Sequence, residues 1–164
     1  MEQRLWAPWR LDFIRGPKPD GCVFCAKPAL ADDESALIVQ RGERCFVILN
    51  AYPYNNGHLM VSPFKHVPSI EQLDERELLE LMTLAQRAIG VLREVYAPEG
   101  FNIGLNQGAV AGAGIADHMH LHVVPRWGGD TNFMPVIGST RVLPQALADS
   151  WRELSLRFAE AAPG

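Results

Sequence analysis

The sequence has no excess of positive charge, and its opening stretch has no uninterrupted apolar run. The 164 residues carry a formal net charge of −4 at pH 7, so the protein lacks the positive field that supports non-specific binding to nucleic acid. Charged side chains interrupt the opening stretch MEQRLWAPWRLDFIRG, which argues against a signal peptide or a membrane span there. We therefore expect a cytoplasmic protein whose partners are neither nucleic acids nor membranes.

Cysteine is scarce as well. The three cysteines are an odd number, which does not suit a disulfide framework. Cys22 and Cys25 have the spacing C-x-x-C, which in a reducing compartment favours metal or redox chemistry over a structural disulfide. A redox pair and two unpaired thiols are the alternatives for these residues. Cys45 lies inside an apolar stretch and is predicted to be a small core residue.

Three of the five histidines occupy alternate positions in one stretch, ADHMHLHVVPRW. His118, His120 and His122 interleave with apolar residues at a period of two, which predicts a half-buried strand with the imidazoles on one face. Neighbours on one strand face are roughly 6.6 Å apart, whereas a metal–imidazole bond is only about 2 Å long. One ion cannot bind all three without a sharp bend in the strand, so we expect the imidazoles to have different roles.

Alternation and turn residues predict an α+β fold in a single domain spanning residues 1–164, with no internal repeat. Residues 1–30 are predicted to form an irregular arm that carries the cysteine pair. Short strands are predicted in the segments ALIVQ, RCFVILN, HLMVSP and FNIGLN, followed by a glycine-rich loop and the histidine strand. A mostly stranded chain with one inserted helix indicates α+β rather than α/β.

Two helices are predicted from a change of period. The first runs from Asp74 to about Tyr96, begins with a capping box between Asp74 and Glu77, and ends before Pro98. The second runs from near Pro144 to Ala161, within a C-terminal segment of residues 140–164. The apolar face of the first helix is predicted to consist of Leu78, Met82, Ala85, Ile89, Leu92 and Tyr96.

The cysteine pair leads to a metal hypothesis. A Cys₂His₂ zinc site needs two imidazoles from elsewhere in the chain. His66 follows SPFK, and His118 opens the histidine strand, where binding a metal would leave the next imidazole free for chemistry. Such a site would attach the irregular arm to the sheet and stabilise the fold. The alternative is that His66 is an ordinary surface residue.

Several longer stretches resemble the histidine-triad superfamily of nucleotide hydrolases and transferases. These are CVFC, FVILNAYPYNNGHLMVSPFKH, GFNIGLNQGAVAGAG and HMHLHVVPRWGGDTNF, and HMHLHVV fits the pattern His-φ-His-φ-His-φ-φ. The segments LWAPWR and PRWGGDTNFMPVIGSTRVLPQ resemble the bacterial branch that cleaves diadenosine tetraphosphate, which includes phosphorylases. The resemblance implies a five-stranded antiparallel sheet with packed helices and a homodimer or higher homo-oligomer.

The resemblance also implies roles for individual residues. His120 would be the catalytic nucleophile, and His122 would contact the phosphate. The nucleotide would be bound by Asn50 at the ribose, by Asn106 at the phosphate and by His58 beside the triplet. The structural zinc would be bound, as in the zinc-bearing members, by Cys22, Cys25, His66 and His118.

One part of the sequence departs from the family pattern. Many members carry Gly-Gln-Thr/Ser-Val before the triplet, with side chains that donate hydrogen bonds to phosphate or the leaving group. Here the corresponding residues are Ala113-Gly114-Ile115-Ala116, which lack those donors. We expect backbone amides from Gly112 to Gly114 to substitute.

The chemistry of the residues agrees with the implied activity. A phosphoanhydride is surrounded by negative charge, so a neutral imidazole suits it as a nucleophile. Attack by His120 on an α-phosphorus would give a nucleotidyl-histidine, which water would resolve to AMP and inorganic phosphate to ADP. Hydrolysis and phosphorolysis share the first step and stay open. The alternatives are a nucleoside phosphoramidase or mononucleotide hydrolase, and a zinc-stapled nucleotide-binding module without turnover.

Overall fold

The computed structural model describes residues 21–130 and 143–161. Their architecture is α+β, with one five-stranded antiparallel sheet in the order β1-β2-β3-β5-β4. The predicted fold class is confirmed, whereas the single-domain organisation stays a prediction and the arm up to residue 20 lies outside the described residues. The strands are β1 Ile38–Arg41, β2 Cys45–Leu49, β3 Leu59–Pro63, β4 Gly100–Leu105 and β5 Leu121–Arg126.

The helices are short except for two. Both predicted helices are present, with the second beginning a few residues later than expected. Among the described residues, no helix has the length and apolar character needed to cross a membrane. The helices are α1 Val23–Ala26, α2 Asp33–Ala36, α3 Glu75–Tyr96 and α4 Leu147–Glu160, with single 3₁₀ turns at Ile70–Gln72 and Ala109–Ala111.

Helix α3 begins with the predicted capping box. The Asp74 carboxylate accepts hydrogen bonds from the backbone N–H groups of Arg76 and Glu77, each at 2.9 Å. The Glu77 carboxylate in turn accepts from the Asp74 N–H at 2.8 Å. These bonds satisfy donors that the first turn of a helix leaves without intrahelical partners.

The predicted apolar face of α3 is confirmed except at Met82. Of the predicted set, Ala85 and Leu92 are buried and Leu78, Ile89 and Tyr96 are half-buried against the core, whereas Met82 is 51% exposed. Two polar contacts accompany the observed packing: Glu80 accepts from the N–H groups at the start of β2, and Arg87 donates to carbonyls at the end of α4. The apolar residues that are buried are Leu81, Leu84, Ala85, Ala88, Val91 and Leu92.

Strand β5 lies inside the sheet, between β3 and β4, although it is the last strand in the chain. His122 is paired with Met60 on one side and with Gly104 on the other. The interior position suits a strand in which Leu121, Val123 and Val124 are all buried. His122 therefore lies inside the sheet, between two paired strands, and not at its edge.

The predicted histidine strand was too long, because β5 begins at Leu121. His118 and His120 precede it in an extended segment that is held by contacts around Met119. The Met119 N–H donates to the Val67 carbonyl at 2.8 Å, and its carbonyl accepts from the buried Ser62 hydroxyl at 3.1 Å. These bonds replace the regular ladder and leave the histidine side chains free to take different directions.

The two faces of the sheet carry separate apolar clusters. The larger one packs α3 and α4 against one face and includes Leu81, Leu92 and Phe158. The smaller cluster covers the other face, beneath the segment that contains the cysteine pair. Its buried members are Phe24, Ala36, Ile38, Phe46, Ile48 and Met60.

Candidate functional site

Two cysteines and two histidines form a compact cluster. The Nδ1 atom of His118 lies 3.3 Å from the Cys22 sulfur, 3.6 Å from the Cys25 sulfur and 3.2 Å from His66 Nδ1. The Cys25 sulfur lies 3.3 Å from His66 Nδ1. The four ligand atoms all lie within 4.8 Å of one another. These residues, the set predicted from the sequence, could hold one metal ion.

The spacing of the four atoms fits zinc. Zinc–sulfur bonds of about 2.3 Å and zinc–nitrogen bonds of about 2.0 Å at tetrahedral angles place sulfur and nitrogen roughly 3.5 Å apart and two nitrogens roughly 3.3 Å apart. His118 Nε2 donates to the Pro63 carbonyl at 2.9 Å. That bond leaves Nδ1 unprotonated and available to a metal, and it is a common second contact of a metal-binding histidine.

Cys45 has a different environment from the cysteine pair. It is fully buried in β2 and donates a weak hydrogen bond to the Glu77 carbonyl at 3.7 Å. Burial, followed by the nearby carboxylates of Glu80 and Glu77, raises the pKa of the Cys45 thiol to about 12. The thiol is therefore neutral and inert, and the prediction that Cys45 is a core residue is confirmed.

The tautomer of His120 is set by the backbone. Its Nδ1 lies 2.9 Å from the His118 carbonyl oxygen, and because a carbonyl only accepts, Nδ1 carries the proton. The Nε2 atom is then unprotonated and has the free electron pair that a nucleophile needs. Burial lowers the pKa of His120, since desolvation disfavours the charged imidazolium. His120 is therefore a neutral imidazole with one defined nucleophilic nitrogen.

A chain of hydrogen bonds also determines the tautomer of His122. The Tyr54 N–H can only donate, and it lies 3.1 Å from His58 Nδ1. The proton of a neutral His58 is therefore on Nε2, which lies 2.9 Å from His122 Nδ1. His122 accepts at Nδ1, so its own proton is on Nε2. The ring centroids of His120 and His122 are 4.8 Å apart, so an imidazole with an unprotonated Nε2 neighbours one that carries its proton on Nε2.

The predicted nucleotide-binding residues lie around this pair. The Asn50 side chain accepts from the Tyr52 N–H at 2.9 Å and approaches His58 Nδ1 at 3.3 Å, so it stabilises the turn and also supports His58. Asn106 directly follows β4, and His120 directly precedes β5, next to the last pair of the two strands, Leu105 with Leu121. Their contacts with a nucleotide remain predictions.

The glycine-rich loop is partly committed to its own turn. Gly112 has a φ of +85°, a conformation that favours glycine, and its N–H donates to the Ala109 carbonyl at 3.1 Å. This amide already has an internal acceptor, so a phosphate would have to compete for it. A phosphate-binding role for Gly112 and Gly114 remains a prediction.

Sequence reasoning missed two aromatic residues beside the histidines. Tyr54 supplies the N–H that orients His58, and its ring centroid is 4.6 Å from that of His58 and 5.9 Å from that of His122. Phe24 packs against both His118 and His120. For Phe24 the only signal was its place between the two cysteines. For Tyr54 there was no signal, because its backbone makes the decisive contact.

Comparison with known proteins agrees with this geometry. The family model of the HIT domain matches residues 32–129. The chain belongs to the HIT family. Among curated HIT relatives, a Mycobacterium tuberculosis protein named AP-4-A phosphorylase is 45% identical over 166 residues, covering 96% of this chain and 85% of the relative. A bis(5'-adenosyl)-triphosphatase of Dictyostelium discoideum is 32% identical over 51% of this chain and 56% of the relative.

A solved HIT structure has the same fold. A zinc-bound histidine triad family protein from Mycobacterium smegmatis superposes with a TM-score of 0.65 at 27% identity, covering 85% of this chain and 94% of that protein. The resemblance seen in the sequence is thereby confirmed at the level of the family. The zinc in that protein is also consistent with a metal-binding role for the cysteine–histidine cluster of this chain.

Proposed function

We propose that this protein is a nucleotidyl transferase that cleaves dinucleoside polyphosphates, with diadenosine tetraphosphate as the leading substrate. The observation that carries the proposal is the fixed tautomer of His120, whose Nδ1 donates to the His118 carbonyl at 2.9 Å. A second support is the identity of 45%, over 96% of this chain, with a protein named AP-4-A phosphorylase. On that similarity we propose phosphorolysis rather than hydrolysis.

In the first half-reaction the Nε2 atom of His120 attacks the α-phosphorus of one adenosine. A phosphorus–nitrogen bond forms while the bond from the α-phosphorus to the bridging oxygen breaks, and ATP leaves with that oxygen and its electron pair. Nδ1 keeps its proton and its bond to the His118 carbonyl, which stabilises the positive charge that develops on the ring. The product of this step is an adenylyl-histidine at His120.

His122 assists both half-reactions as a hydrogen-bond donor. With its proton on Nε2, it is suited to donate to an oxygen of the transferring phosphoryl group and to stabilise the charge there. Its partner His58, at 2.9 Å, holds this tautomer. In the second half-reaction inorganic phosphate attacks the phosphorus, the phosphorus–nitrogen bond breaks, and ADP is released with His120 restored.

Zinc is proposed as a structural ion held by Cys22, Cys25, His66 and His118. When bound, it would supply four bonds that join the segment of Cys22 and Cys25 to His66, which follows β3, and to His118, which precedes β5. The reaction itself proceeds on His120, without a step on the metal. The homodimer, the cytoplasmic location and the nucleotide contacts of Asn50, Asn106, Gly112 and Gly114 also belong to this proposal.

The proposal is tested by incubating the protein with diadenosine tetraphosphate, with and without inorganic phosphate, and separating the nucleotides. We expect equal amounts of ADP and ATP, with turnover dependent on phosphate. AMP plus ATP without phosphate would show a hydrolase and correct the choice of acceptor. Absence of cleavage, together with turnover of an adenosine phosphoramidate, would overturn the proposed substrate in favour of a phosphoramidase.

The covalent step needs its own experiment. Brief reaction with substrate labelled at the α-phosphorus, without inorganic phosphate, is expected to leave acid-labile, alkali-stable label on His120. His120→Asn should not become labelled. Label on His122, or no label in a preparation shown to be active, would contradict the covalent mechanism.

A further inference from the structure

Phe24 connects the metal cluster to the reacting histidine. It lies between Cys22 and Cys25 in α1 and is 2% exposed. Its ring centroid is 5.4 Å from that of His118 and 4.7 Å from that of His120, with an angle of 30° between the Phe24 and His120 rings. Both ring pairs are tilted, and both centroid distances lie in the range at which aromatic rings attract one another.

The ring of Phe24 limits how the imidazole of His120 can turn. The outer torsion of a histidine side chain is broad and has no sharp minima, so the ring of His120 is not held in place by its own rotamer. Its hydrogen bond to the His118 carbonyl is lost when the ring rotates out of plane. The Phe24 ring, whose centroid lies 4.7 Å from that of His120, opposes that rotation, because the imidazole would have to move into the space that Phe24 fills.

Helix α1 cannot hold Phe24 in place alone. It has four residues, and its N-cap Cys22 makes no side-chain capping bond. A helix this short is not stable by itself in water. The contacts that fix it are those of the flanking cysteines with His118 and His66 and the burial of Phe24 in the smaller apolar cluster.

We propose that Phe24 is a positioning residue for His120, and that the metal cluster holds Phe24 in place through the cysteines on either side of it. The metal centre then does more than stabilise the fold, since it also maintains the orientation of the nucleophile. The kinetic part of this inference rests on the proposed function. The structural part, the orientation and tautomer of His120, does not.

The test compares Phe24→Leu and Phe24→Met with Phe46→Leu. The first two variants keep an apolar side chain but remove the flat ring. Phe46 is a matched control because it is fully buried in the same cluster and its ring packs against Phe64 at 5.1 Å. For each variant we would measure zinc content, Tm, the imidazole ¹⁵N signals of His120, the Kd for AMP, and kcat and KM.

We expect the Phe24 variants to move the His120 signals from one tautomer toward the average of two. The kcat should fall about tenfold, because the nucleophile is no longer held in its reactive orientation. The KM and the Kd for AMP should change less than about twofold, because the site still binds nucleotide when the His120 ring is mobile. Phe46→Leu should lower Tm to a similar extent and leave the His120 signals and kcat unchanged. Removal of zinc from the wild-type protein with a chelator should shift the His120 signals in the same direction as Phe24→Leu.

Two results would overturn the inference. If His120 keeps a single tautomer in both Phe24 variants, Phe24 does not position it, whatever happens to the activity or the metal content. If zinc removal leaves the His120 signals unchanged, the metal cluster does not act through Phe24. A wild-type protein that fails to cleave the dinucleotide would defeat the proposed function and leave this spectroscopic test intact.

Discussion

His118 and His122, at opposite ends of one triplet, have different surroundings. His118 is fully buried, and its Nδ1 faces two sulfurs and a second imidazole. His122 is half-buried in β5 and is tied to His58 at 2.9 Å. In His118 the unprotonated nitrogen belongs to the metal cluster, and in His122 it belongs to a hydrogen-bond chain that begins at the Tyr54 backbone.

The difference shows that a histidine takes its role from the atom bound to its other nitrogen. The Pro63 carbonyl leaves Nδ1 of His118 unprotonated, the His118 carbonyl leaves Nε2 of His120 unprotonated, and His58 leaves the proton of His122 on Nε2. Identical side chains are therefore suited to the three different tasks that we propose for them, because three different partners select their tautomers. Mutations near His118 and mutations near His122 should therefore have separable effects, the first on metal binding and the second on the reaction.

The largest effect on activity is expected for His120→Asn, which replaces the histidine between His118 and His122. Asparagine has no nucleophilic imidazole nitrogen, so turnover of the dinucleotide should fall by at least about 10³-fold. Binding of AMP should change less than about threefold, as measured by calorimetry. A variant that retains more than a tenth of the wild-type kcat would show that His120 is not the nucleophile.

The double variant Cys22→Ser, Cys25→Ser removes two proposed metal ligands, and it should lower both zinc content and stability. Elemental analysis should find no bound zinc, and loss of a ligand held at a thousandfold excess over its Kd removes about 4 kcal/mol of stability. For a chain of this size that loss lowers Tm by about 10 °C. Cys45→Ala is the control, since it should keep the zinc, and full zinc retention in the double variant would refute the metal site.

The variant His58→Phe removes the N–H group that donates to His122, and it should affect catalysis without affecting metal binding. Phenylalanine keeps a flat ring in this buried position but removes both nitrogens, so His122 is no longer held to one tautomer. We expect kcat/KM to fall about 10²-fold while the zinc content stays at the wild-type value. Steady-state kinetics and metal analysis on the same preparation check both parts, and a loss of zinc here would show that the two ends are not separable.

The smallest effect is expected for Asp130→Asn, which loosens the loop between Asn50 and His58. The Asp130 carboxylate accepts a hydrogen bond from the Asn55 side chain at 2.7 Å and forms an ion pair with Arg126. The hydrogen bond from Arg126 is the main reason why the pKa of the Asp130 carboxyl lies well below its usual range, and the bond from Asn55 adds to it. A carboxyl with a lowered pKa in the folded state stabilises the fold above its unfolded pKa of about 3.8, and that stability is lost as pH falls toward the folded pKa.

The variant should therefore unfold about 2 to 4 °C below the wild type at pH 7, equivalent to about 1 kcal/mol. The difference in Tm should narrow as pH falls below about 4, because the unfolded wild-type chain then binds a proton at Asp130 that the folded protein does not, which favours unfolding of the wild type. Thermal unfolding at pH 7, 5, 4 and 3 measures this trend. A difference that grows toward acid pH would contradict the assignment.

Patterns local in sequence were predicted well. The capping box of α3 and the existence of the strands follow from side-chain types within a few residues of one another. Met82 was placed wrongly on the apolar face of α3 because the helix carries two adjacent apolar stripes. Contacts of Glu80 with β2 and of Arg87 with α4 favour one of them. These partners are far away in the sequence, so periodicity alone could not choose between the stripes.

The sequence by itself determined which chemical groups this protein has: a C-x-x-C pair, two further histidines and three more at alternate positions, a set whose types and spacing already indicate metal binding and nucleophilic catalysis. Only the tertiary structure decided what each imidazole can do. The protonated nitrogen of a neutral histidine depends on a donor or acceptor within about 3 Å. Here the decisive atoms are backbone groups of Pro63, His118 and Tyr54, which every residue type has and which no sequence pattern can mark.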